Sequence, residues 1–257
     1  KAYWINTSDN ALIRDLILKN PAEEIQNDVR ALLNGQSIES ILEESLVLRD
    51  IDASSESIWS WLTFSGYLKP ISFQREGVRL KYELTIPNLE VRHFFESSVQ
   101  NWLHQCSPQS HLQHLLKALV RGDLKTFEKY LRDFVISFLS YHDVQGGSPE
   151  RVYHAFVLGL LVQLQNKYSI RSNRESGYGR YDVVVSPKDK TQMAYIFEFK
   201  KIDRDDEETP EIAIQSALQQ IKDLEYATEL RNEGIQHITG IAVVIDQKKL
   251  SMKWMAL

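Results

Sequence analysis

"RYDVVVSPKDKTQMAYIFEFK", Arg180 to Lys200, is the stretch whose reading decides the fold. Two apolar runs flank a polar turn, and each reads as a buried strand. Yet Asp182 heads the first run, and Glu198 and Lys200 sit near the end of the second. Side chains two apart on a strand share a face. Glu198 and Lys200 therefore point one way, while Phe197 and Phe199 point into the opposite core. If the two runs pair as a hairpin, Asp182 reaches the face of Glu198. Two carboxylates and an ammonium then converge at one end of a sheet. Burying such charges alone costs several kcal/mol each. A divalent cation bound by the carboxylates offsets that cost. Hard oxygen ligands with open positions suit Mg²⁺ or Mn²⁺. The lysine is left to steady a developing charge or to orient an attacking water.

Around this stretch the pattern is mixed. Ser148-Pro149-Glu150 opens a helix with an N-cap, a first-turn proline and an acid at the positive end, and the helix is expected to run to about Lys167. Strands are expected at 168–174, 180–186 and 193–201. Thr209-Pro210-Glu211 opens a second helix, expected to reach about residue 233. "HITGIAVVID" and "KLSMKWMA" close the chain as strands. The order is α-β-β-β-α-β-β, a sheet wrapped by helices.

The first half reads as mainly helical. "SDNALIRDLILKN" carries Ser8 as an N-cap and a stripe of Leu12, Ile13, Leu16 and Ile17. "SSESIWSWLTFSGYL" reads as a helix closed near Gly66. The period then changes to two around Gly77, with Val78, Leu80, Tyr82, Leu84 and Ile86 alternating, so a hairpin is expected. Helix plus hairpin is compatible with a winged-helix-like unit whose Lys69, Arg75, Arg79 and Lys81 touch phosphate. The plainer reading is a solvated hairpin face. Helices are expected over 89–105, 109–120 and 123–140, with "RGD" at 121–123 as an inter-helix turn that Asp123 caps. His104, His111 and His114 lack carboxylate or cysteine spacing for a metal site, so surface histidines are expected. "HDVQGGSPE" breaks the pattern, and the domain boundary is placed there: a helical region with a hairpin over 1–147 and an α/β domain over 148–257.

The chain has 257 residues, 43% hydrophobic and 25% charged, ordinary for one or two globular domains. Cys106 is the only cysteine, which excludes an internal disulfide and a cysteine zinc cage and fits a reducing cytoplasm. There is no signal-peptide pattern and no apolar run of membrane-spanning length. The net charge of −5 argues against a nucleic-acid coat protein, but an enzyme gripping phosphates locally is compatible with it. The chain starts at Lys1 without a methionine, as expected of a piece of a longer protein or a processed one.

Asp182, Glu198 and Lys200 in this order of elements form the pattern of the PD-(D/E)XK nuclease superfamily. "SNRESGYGRYDVVVSPKDKTQMAYIFEFK" resembles one bacterial branch, in which an N-terminal AAA-ATPase-like domain precedes a C-terminal nuclease-like domain. The resemblance extends to "SPERVYHAFVLGLL", "SALQQIKDLEYA", "YWINTSDNALI", "WSWLTFSGYL" and "RGDLKTFEKYL", nearly the whole chain. It implies a restriction-endonuclease-like α/β/α core with a mixed sheet, and metal-dependent hydrolysis of phosphodiester bonds with DNA as the expected partner. It also implies an ATPase-like domain ahead of Lys1. By the same resemblance Asp182, Glu198 and the Phe199 backbone carbonyl hold the metal, and Lys200 is the catalytic lysine. Gln220 on the next helix matches the family glutamine, with Gln219 as the fallback. Glu150 or His154 on the first helix could add to the site, and Arg174, Glu175 and Arg180 could shape it. Tyr181 stands where the motif name has proline, a position that supplies no ligand.

Other readings stand beside these. Glu198 and Lys200 could form a structural ion pair, and Gln220 a satisfied half-buried amide. The acidic run 203–208 would repel a nucleic-acid backbone if it faced the site. A degenerate nuclease-fold module that only binds nucleic acid or protein is one alternative. An enzyme of this fold with a non-nucleic-acid substrate is another.

Overall fold

The computed structural model describes residues 23–43, 54–77, 79–142, 149–175, 180–202, 209–223 and 226–257. Side chains are described throughout these except at 23, 109, 141, 142, 149–151, 173–175, 180–182 and 226. The helix expected around Ser8 and the acidic run 203–208 lie outside the described residues. The chain separates into two compact units, Lys1–Trp102 and Leu103–Leu257.

The first unit holds α1 (Glu23–Leu33), β1 (Ile38–Ile41), α2 (Ser55–Phe64), β2 (Lys69–Glu76), β3 (Arg79–Thr85) and most of α3 (Leu89–Cys106). Ser54 caps α2 by accepting from the Ser57 amide at 3.0 Å, and Gly66 follows the helix at φ +81°. The hairpin expected around Gly77 is present, and β1 joins it in a three-stranded antiparallel sheet of order β1-β3-β2. Ile38 and Leu84 face each other in register and are buried. All of β2 is exposed, with Ile71 and Phe73 among its residues. On the hairpin Lys81 pairs with Glu39 at 2.7 Å.

Asp28 of α1 sits in this unit's apolar surroundings. Burial pushes its carboxyl up from 3.8 to about 6, helped by Glu24 one turn earlier and opposed by the Trp59 indole. Between those values the folded state holds more protons than the unfolded one, so stability falls as pH rises from about 4 to about 6. Asp28→Asn is therefore expected to stabilise the protein at pH 7 by about 1–2 kcal/mol, allowing for partial exposure, and not at pH 4. Urea unfolding at the two pH values checks this.

The second unit is built around a five-stranded sheet of order β4-β5-β6-β7-β8. Its strands are β4 (Tyr168–Glu175), β5 (Arg180–Pro187), β6 (Ala194–Lys201), β7 (Ile238–Asp246) and β8 (Lys249–Ala256). The β4, β5 and β6 strands pair antiparallel, β6 and β7 pair parallel, and β7 and β8 pair antiparallel. The sheet is mixed. β6 and β7 are buried along nearly their whole length, and their near-continuous apolar runs read accordingly.

Helices cover both faces. On one side α6 (Pro149–Leu164) lays Tyr153 and Phe156 on Phe199, with ring centroids 5.4 Å apart in both cases. Phe127 of α5 (Leu124–His142) meets Phe197 at 5.7 Å. Tyr195 on the same face donates its hydroxyl to the Leu119 carbonyl at 2.6 Å, at the end of α4 (Gln109–Val120). On the other side lie α7 (Pro210–Asp223) and α8 (Tyr226–Asn232). Val184, Ala194 and Ile196 pack there with Ile221 and Leu230, and Ala242 and Val244 pack with Ala213 and Ala217. This is the α/β/α arrangement of a restriction-endonuclease-like core.

The helices α4 and α5, which precede residue 148, pack within this second unit. Gly122 turns between them at φ +72°, and Asp123 caps α5 by accepting from the Thr126 amide at 3.1 Å. The single helix expected over 209–233 is two, α7 and α8. Thr209 caps the first, with its hydroxyl 3.3 Å from the Ile212 amide.

The fit of α7 onto the sheet depends on Gly240. A Cβ there would stand 2.8 Å from Ile221 Cγ2, a branch that cannot swing away. Gly240→Ala is expected to cost about 1–3 kcal/mol by overpacking. In an Ile221→Ala background the same change should cost clearly less. Thermal unfolding of the four proteins reads this directly.

Candidate nuclease site

β6 runs through the middle of the sheet, and its alternation sorts its residues between two unlike surroundings. Tyr195, Phe197 and Phe199 enter the aromatic layer under α5 and α6. Ala194 and Ile196 face α7 and α8, and the same period carries Glu198 and Lys200 onto that side. Both are buried, Glu198 at 1% exposure and Lys200 at 7%. A carboxylate and an ammonium so placed offset each other's loss of water.

Asp182 is aligned directly opposite Glu198 in the antiparallel β5-β6 pairing, and Arg180 is opposite Lys200. Residues in direct register share a sheet face. The position of Asp182 is therefore on the face of Glu198. Phe199 lies opposite Tyr181 on one side and beside Val243 on the other. On the β7 side Ala242 neighbours Glu198 and Val244 neighbours Lys200, two small or slender residues next to the charged pair.

From above, α7 closes on this region. Ala213, Ser216, Ala217 and Gln220 recur at i, i+3, i+4 and i+7, one face of a helix. The two alanines are fully buried against Ala242 and Val244, which lets the helix approach closely. Lys200 Nζ donates to Ser216 Oγ at 2.6 Å. Gln220 is half-buried one turn beyond Ser216. Gln219 is exposed, and its amide donates to Asp223 at 2.9 Å, so it belongs to the helix surface.

The structure thus brings together the positions of Asp182, Glu198 and Lys200, with Gln220 on the helix face above them. His154 is buried at 2% on α6, the helix that covers the phenylalanine face. The side chains of Glu150, Arg174, Glu175, Arg180 and Asp182 lie outside the described ones. Ser216 was not singled out from sequence. The signal was present, since Ser216 stands on the small-residue stripe one turn before Gln220.

A divalent ion suits this donor set. A buried carboxylate on a central strand, with an aspartate position in register across the ladder, offers hard oxygen ligands at a sheet end. Glu198 and the Asp182 position would hold such an ion. Among the described side chains there is no group of three or more His, Cys, Asp or Glu that could hold a metal, and the Asp182 side chain is outside that set. Two of the histidines of α4 meet a tyrosine instead: His114 stacks on Tyr130 with centroids 5.0 Å apart, and His111 lies 6.2 Å from the same ring. No helix among the described residues is long and apolar enough to cross a membrane.

An uncharacterized protein encoded in the vnfD 5′ region of Azotobacter chroococcum mcd 1 is 27% identical to 97% of this chain. The chain spans 45% of that protein's length. The family model of the PD-(D/E)XK nuclease superfamily matches residues 148–255, which contain the whole five-stranded sheet but the final residue of β8. Over these residues the sequence match and the α/β/α fold both agree with the PD-(D/E)XK nuclease superfamily.

Proposed function

We propose that this protein is a metal-dependent nuclease that hydrolyses phosphodiester bonds, with DNA as its substrate. One observation carries the reading: Glu198 and Lys200 are buried together on a central strand with Asp182 in register across from them. Glu198 and Asp182 bind Mg²⁺ or Mn²⁺. Such an ion, held there, would lower the pKa of a water and offset charge on the scissile phosphate. Lys200 places its ammonium beside the reacting phosphate and stabilises the negative charge that builds on it. Gln220 offers an amide from α7 to orient water or a phosphate oxygen.

The test is cleavage. Single- and double-stranded DNA incubated with the full-length protein and Mg²⁺ or Mn²⁺ should be cut, and EDTA should stop it. Protein that cuts neither DNA nor RNA under these conditions would leave a nucleic-acid or protein binding module as the better reading.

A further inference from the structure

Lys200 is held from above as well as by its strand. Its ammonium donates to Ser216 Oγ at 2.6 Å, a short bond of the charge-assisted kind. Lysine carries three donors on a flexible four-carbon stem. Fixing one donor removes much of that freedom. The anchor itself is held firmly, because Ala213 and Ala217, flanking Ser216 on the same helix face, are fully buried against Ala242 and Val244. Those two residues are the β7 neighbours of Glu198 and Lys200. Helix, strand and charged pair are therefore held in one register. Serine in a helix interior commonly bonds back to its own helix, and it forms helix less well than alanine. At this position its hydroxyl instead receives the lysine.

We propose that Ser216 is the positioning residue of Lys200: it holds the ammonium in place at the reacting phosphate. This rests on the nuclease reading of the same site. Ser216 does not touch substrate; it acts through Lys200. A fixed ammonium needs no reorganisation as charge develops, which favours turnover over ground-state binding.

The experiment compares Ser216→Ala and Ser216→Thr with wild type in the full-length protein. Ser216→Ala should lower kcat for DNA cleavage about 10–100-fold, the range for losing a hydrogen bond to a charged group, with KM little changed. Ser216→Thr keeps the hydroxyl and should restore most of the rate. Alanine is the better helix former, so the loss cannot be put down to a weakened α7. A second readout needs no activity. Ser216→Ala should lower the melting temperature of the metal-free protein when Lys200 is present and not in a Lys200→Met background. Full kcat in Ser216→Ala overturns the role of Ser216 and leaves the nuclease reading standing. So does a melting shift that is the same in both backgrounds, or a threonine variant that melts normally yet is as slow as alanine. A wild-type protein that cuts no nucleic acid removes the nuclease reading, and this role with it.

Discussion

Lys200→Ala is expected to slow metal-dependent DNA cleavage on the order of 10²–10³-fold or more, the size of effect seen when one preorganised electrostatic donor is removed. The same variant should still bind Mn²⁺. An ammonium close to a cation repels it, so removing Lys200 tightens metal binding rather than weakening it. The metal-free protein should pay separately. Lys200 is 7% exposed on the sheet face that carries Glu198 at 1%, and taking a positive charge away from the side of a buried carboxylate destabilises the fold. Lys200→Ala should therefore melt early without metal and recover more than wild type when Mn²⁺ is added. Single-turnover cleavage and thermal unfolding on one preparation read both halves. A variant that cuts DNA at the wild-type rate would remove Lys200 from the chemistry.

The carboxylates should behave in the opposite way. On the proposed reading Asp182 and Glu198 bind the ion, so Asp182→Asn and Glu198→Gln should lose both cleavage and the response to Mn²⁺. An ion at one hundred times its Kd stabilises the wild-type fold by about 2.7 kcal/mol, which is visible as a rise in melting temperature. That rise should be present in wild type and Lys200→Ala and absent from the two carboxylate variants. Without metal, Asp182→Asn should melt higher than wild type, because it relieves repulsion between two carboxylates on one face. Equal Mn²⁺ responses from all four proteins would place the ion elsewhere.

Why so much of this site could be read from a linear stretch is a matter of period. "YDVVV" and "IFEFK" alternate cleanly, and a period of two assigns each side chain to a face before any pairing is known. The pairing itself followed from two apolar runs around a short polar turn, and Asp182 does lie opposite Glu198. Asp123 was readable as a cap because a cap is local, decided within three or four residues.

What escaped was relational. The contact between Lys200 and Ser216 depends on how α7 settles on the sheet, and that depth is set by Ala213, Ala217 and the missing side chain of Gly240 together. No single one of these residues announces it. The apolar stripe of α5 was equally legible, with Phe127 and Phe134 on it, but a stripe does not say what it will cover. Phe127 covers Phe197 of the central strand, across 69 intervening residues. The helix opened by Thr209 looked continuous because the propensities of α7 and α8 are alike.

Anomalous scattering from a crystal soaked in Mn²⁺ tests the central claim most directly. The proposed site predicts a peak on the α7 side of the sheet, about 2.0–2.6 Å from carboxylate oxygens of both Asp182 and Glu198. The Lys200 ammonium should stand near that peak without touching it, its bond to Ser216 kept. A peak elsewhere with none between these carboxylates, or an Asp182 side chain turned to the phenylalanine face, would contradict the account.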